Sequence, residues 1–144
     1  MKKQAFGIVA VFSLLLVLSS ASVQAQSNRN SINIPFNFNV GHKTFPAGEY
    51  TVEPTRKDSQ NVWLLENKNR HKSVVFNTIP VWARVTQEQT KLVFNRYDDQ
   101  YFLSQICTAG DNSSRELRMR RWERQLAKNG VQPERVLITP GSRE

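Results

Sequence analysis

Cysteine is almost missing from this chain, and that absence excludes the most. Cys107 is the one cysteine in 144 residues. No internal disulfide can form, so the fold cannot be a disulfide scaffold and must rely on a packed core. Histidine is nearly as scarce, with His42 and His71 alone. Both fall in expected turns, and neither has a Cys, Asp or Glu at metal-ligand spacing. The sequence therefore calls for no metal and no cofactor. It also carries no recognisable nucleophile motif, and the reading is of a protein that is not an enzyme. Long apolar runs are confined to the N-terminus, so no later segment could span a bilayer as a helix.

That N-terminus reads as a signal peptide. Lys2 and Lys3 precede an apolar run from Ala5 to Leu18, which is shorter than a spanning helix. Small and polar residues follow, and Val23 and Ala25 suit a signal-peptidase cut after Ala25. The expectation is a leader at 1–25, a flexible stretch at 26–31, one β domain at 32–140 and a tail at 141–144. The processed chain is then exported, to the periplasm or beyond the cell. The whole-chain charge is +8, and loss of Lys2 and Lys3 with the leader leaves +6. A basic protein favours anionic partners. Export makes nucleic acid the least expected of them and leaves an anionic polymer or envelope surface.

Side chains alternate through most of the remainder. Ile32, Ile34, Phe36, Phe38 and Val40 recur at spacing two and predict one long strand, with Pro35 placing it at an edge or facing away from its neighbour. Phe45-Pro46-Ala47-Gly48 reads as a tight turn. Further strands are expected at 49–53 (ended by Pro54), 62–65, 73–81, 91–97, 100–107 and 136–138. Asp98-Asp99 suits a hairpin turn between two of them better than a calcium site. Residues 100–107 carry apolar side chains on both faces, which predicts a central position or a barrel wall with a cover. Cys107 is expected as a buried thiol within that run. Six to seven strands and one helix give a small antiparallel sandwich or barrel, with the pattern unable to separate the two.

The helix is expected at 114–128. Ser113 and Glu116 fit a capping box, the intervening residues are good helix formers, and Asn129-Gly130 fits a C-cap. Met119, Trp122 and Leu126 would form the apolar stripe, with Arg120, Arg121, Arg124 and Lys128 opposite. Residues 115–128 hold six basic and two acidic side chains. Guanidinium groups suit phosphates, sulfates and carboxylates, so these four cations are the candidate site for an anionic partner. The competing explanation is a solvated helix face. A second functional reading is a small-ligand carrier for a lipid or sugar, using a barrel interior or an aromatic cleft.

Four segments carry a resemblance. Ile34-Pro35-Phe36-Asn37-Phe38-Asn39-Val40-Gly41, then Pro46-Ala47-Gly48-Glu49-Tyr50-Thr51-Val52, then Tyr101-Phe102-Leu103-Ser104-Gln105-Ile106 and the Arg120-Arg121-Trp122-Glu123-Arg124 stretch resemble a group of small exported proteins of environmental bacteria. The resemblance implies export and a shared β fold. It brings no activity, cofactor or site residue with it.

Overall fold

A computed structural model describes residues 31–69, 71–83 and 85–141. The expected leader at 1–25, the stretch from 26 to 30 and the tail beyond Gly141 lie outside the described residues. Among the described residues the protein is mainly β, with one short helix and one open mixed sheet. Its strands are β1 (Ser31–Ile34), β2 (Phe38–Val40), β3 (Lys43–Phe45), β4 (Gly48–Arg56), β5 (Ser59–Asn67), β6 (Ser73–Trp82), β7 (Lys91–Tyr97), β8 (Gln100–Cys107), β9 (Ser113–Leu117) and β10 (Glu134–Ile138). The helix α1 spans Arg121–Lys128, between β9 and β10. These ten strands among the described residues exceed the expected six to seven, for three local reasons.

The first reason is proline. The long strand expected over 32–40 is broken at Pro35-Phe36-Asn37 into β1 and β2, which pair with different partners. Pro35 has no N–H to continue a ladder, so the chain changes course there. β1 pairs antiparallel with β4 and is an edge strand, while β2 runs parallel to β8, with Phe38 opposite Tyr101. That parallel pair makes the sheet mixed rather than wholly antiparallel. Ser31, expected in the flexible stretch, opens β1, and its hydroxyl donates to the Glu49 carboxylate at 2.5 Å. Secondly, Lys43–Phe45 is a strand paired with β2 around the Gly41-His42 turn, with Gly41 at φ 56°. Thirdly, Ser113–Leu117 is a strand and not helix.

This last point corrects the helix expected at 114–128. The residues of β9 pair with β6 on one side and β8 on the other, Arg115 lying opposite both Pro80 and Ile106. Two ladders outweigh helix propensities worth a few tenths of a kcal/mol per residue. The helix is reduced to Arg121–Lys128, and Met119 lies in the link before it.

β6 joins the two halves of the sheet. Its residues Ser73–Asn77 pair with β5 and Thr78–Trp82 with β9. One half runs β1-β4-β5-β6, and the other carries β9, β8, β7 and β10, with β2 and β3 attached to β8. Both halves feed one core, which includes Ile32, Phe38, Tyr50, Trp63, Leu65, Phe94, Leu103 and Ile106. Phe38 sits at its centre, with ring centroids 5.1 Å from Tyr50, 5.4 Å from Phe94 and 5.7 Å from Phe45. Such ring pairs add about 0.5–1.5 kcal/mol each beyond burial. Pro-Ala-Gly-x-Tyr closes on itself here, since the Tyr50 hydroxyl donates to the Pro46 carbonyl at 2.6 Å.

β8 is central, as its two apolar faces required. Strict alternation would put Leu103 and Ile106 on opposite faces, yet both enter the core. A bulge explains this: Val93 faces Gln105 but Phe94 faces Leu103, so Ser104 is an extra residue and the parity resets. Tyr97 and Phe102 take the other face, away from the core, and are still buried. α1 is what packs on them.

Candidate functional site

The site is α1 and the sheet beneath it. The chain leaves β9 after Leu117 and turns into the helix at Arg120, whose backbone N–H donates to the Glu123 carboxylate at 2.9 Å. This is the reciprocal half of a capping box, placed seven residues later than Ser113-Glu116 had indicated. Glu123 in the first turn and Lys128 in the last both complement the helix dipole. The C-terminus ends on Gly130 at φ 81°, with the Gly130 N–H on the Ala127 carbonyl and the Val131 N–H on that of Leu126.

The inner side of α1 rests on one ring. Trp122 meets Phe102 at 4.8 Å and Tyr97 at 5.5 Å, both edge-to-face. Leu126, one turn on, is half-buried. The outer side is basic: Arg121, Arg124 and Lys128 are exposed and line one shallow depression together with Gln125 and Asn129. Spacings of three and four residues put the three cations along one face.

Arg120, expected as a fourth member, is not with them. It precedes the helix, is half-buried, and its Nε is buried without a hydrogen-bond partner among the described residues. Two other cations of the 115–128 run also leave the face. Arg115 is buried in β9 and donates to Gln60, and Arg118 is exposed in the link. The structure therefore brings Arg121, Arg124 and Lys128 together and separates the rest.

Beneath the helix lie groups that sequence reasoning missed. Glu123 is only 5% exposed. Burial pushes its carboxyl above the usual carboxylate range, while the Arg120 N–H and the Arg120 charge pull the other way. Tyr97 is 6% exposed and its hydroxyl has no hydrogen-bond partner among the described residues. Burial and the Glu123 charge both raise its pKa. The signal for this contact was present in the apolar second face of β8, which required a cover; the depth of Glu123 was not readable from α1 alone. On the other flank of α1, Asp98, Asp99, Gln100, Tyr97, Trp122 and Leu126 line a second open depression. Asp98-Asp99 forms the β7–β8 hairpin turn as expected, with Asp98 at φ 51°.

Elsewhere the chemistry is spare. His42 and His71 are exposed in turns. Among the described residues no three His, Cys, Asp or Glu side chains gather as metal ligands, and no helix is long and apolar enough to cross a membrane. Cys107 is buried, and burial raises its thiol pKa against the opposing charges of Lys91 and Arg135. Comparison with known protein families, curated proteins and solved structures gives no match.

Proposed function

We propose that this chain is an exported, non-enzymatic β domain that binds an anionic macromolecule or envelope component through the outer face of α1. In this reading residues 1–25 act as a cleaved leader, and the two sheet halves close on their shared core as a sandwich. One observation carries the proposal: Arg121, Arg124 and Lys128 line a common depression and none of them joins an ion pair among the described residues. Three cations held without counter-charges, on a helix whose other side is anchored by Trp122, form a preorganised surface for sulfate, phosphate or carboxylate groups. Binding to a flexible polyanion should be salt-dependent, because exposed pairs are screened over about 8 Å at physiological ionic strength.

The test is titration with a sulfated polysaccharide at rising salt. The Arg121→Ala/Arg124→Ala/Lys128→Ala variant should lose affinity roughly tenfold or more, equivalent to about 1.4 kcal/mol. Equal affinity in the variant and the parent protein would remove the proposal. A small-ligand carrier is the second reading, and the depression beside Trp122 and Asp99 is the observation in its favour. Phe38, Phe45, Tyr50 and Phe94 interlock within the core, so a ligand would occupy that surface cleft and not the interior.

A further inference from the structure

The outward face of β4, β5 and β6 carries an apolar patch with an acidic rim. Register places Glu53, Leu64 and Val75 in one row across the three strands, all pointing away from the core. Val62 lies opposite Asn77 in a neighbouring row, and Ile79 lies opposite Glu116 of β9. Val75 is 58% and Ile79 45% exposed, with Val62 and Leu64 half-buried beside them. Among the described residues no helix packs on this face, in contrast to the Tyr97–Phe102 surface. Glu53, Glu66 and Glu116 surround it, and none takes part in an ion pair among the described residues. Arg118, next along the chain from β9, forms none with them either.

Unpaired carboxylates around an apolar centre, in a chain of net charge +8, mark a surface suited to a cationic partner. The same molecule presents such a surface in Arg121, Arg124 and Lys128 of α1. We infer that this sheet face receives the α1 surface of a second copy of the chain. The inference rests on α1 being a contact surface, as proposed above. The patch spans β4, β5, β6 and Glu116 of β9, whereas α1 covers Tyr97 of β7 and Phe102 of β8. The contact pairs two different surfaces, so each copy offers one to the next, and in a head-to-tail arrangement it propagates.

Sedimentation velocity of the purified protein tests this. The expected result is a weight-average sedimentation coefficient that climbs with protein concentration at low salt and returns to the monomer value at high salt. Glu53→Lys/Glu116→Lys should stay monomeric, as should Arg121→Glu/Arg124→Glu. Mixing the two variants should restore association, since every patch then meets an α1 of opposite charge. A wild-type protein that is monomeric into the millimolar range overturns the inference, as does association that persists in both variants or a mixture that stays monomeric. Polyanion titration separates this from the function proposed above. The Glu53→Lys/Glu116→Lys variant keeps α1 intact and should bind polyanion at least as well as the parent, and an unchanged circular dichroism spectrum reports that it has folded.

Discussion

Replacing Trp122 with alanine should release α1 from the sheet. Trp122 is half-buried and provides both aromatic contacts between the helix and the β7–β8 hairpin, at 4.8 Å to Phe102 and 5.5 Å to Tyr97. Full truncation of a buried tryptophan costs about 3–5 kcal/mol. Half burial reduces the transfer contribution, and the two edge-to-face contacts add about 0.5–1.5 kcal/mol each. The expected loss is about 2–3 kcal/mol. An isolated eight-residue helix is not stable in water, so α1 should fray once its anchor is gone. Amide hydrogen exchange reads this directly, because the Asn129, Gly130 and Val131 amides are held by carbonyls of the last turn. Their protection should fall by roughly 30-fold to 150-fold, the equivalent of that loss at about 1.4 kcal/mol per factor of ten. Unchanged protection in Trp122→Ala would refute the assignment of the ring as anchor.

Glu123 gives a pH prediction. Its folded-state pKa is raised above the ordinary 4.5, chiefly by burial, so the folded protein holds this proton more tightly than the unfolded chain does. Its contribution to stability is fully present below the ordinary carboxylate pKa and is lost as pH rises through the raised folded value. Glu123→Gln should flatten that part of the melting temperature against pH curve, and an identical curve would discount the burial argument. Cys107 is buried with a raised thiol pKa, so a thiol reagent at mildly alkaline pH should label it slowly in the native protein and fast in urea. Tyr50→Phe removes the hydrogen bond to the Pro46 carbonyl and should cost about 1 kcal/mol in urea denaturation.

Local chemistry was legible wherever one neighbour decides the outcome. The Asp98-Asp99 hairpin, the Asn129-Gly130 helix end and the alternation of Tyr50 with Val52 follow from backbone preferences and side-chain period, and each stands in the structure. The buried Cys107 and the two-faced β8 were readable for the same reason.

Tertiary structure decided the rest, because pairing partners distant in the chain compete with local preference. Ser113–Leu117 has helix-forming residues and is a strand, since β6 and β8 offer it two ladders at once. Pro35 was visible as a ladder breaker, but nothing near it in the chain specified that Phe38 would then run parallel to Tyr101. Ser104 as a bulge residue follows from β7 opposite it, not from its own neighbours. A shift in where α1 begins also redistributed the cations: Arg115 went inside, Arg120 went to the helix entrance, and Arg121, Arg124 and Lys128 remained together. The sequence alone determined that the chain would be basic and pleated. Which charges share a surface depended on the sheet that carries them.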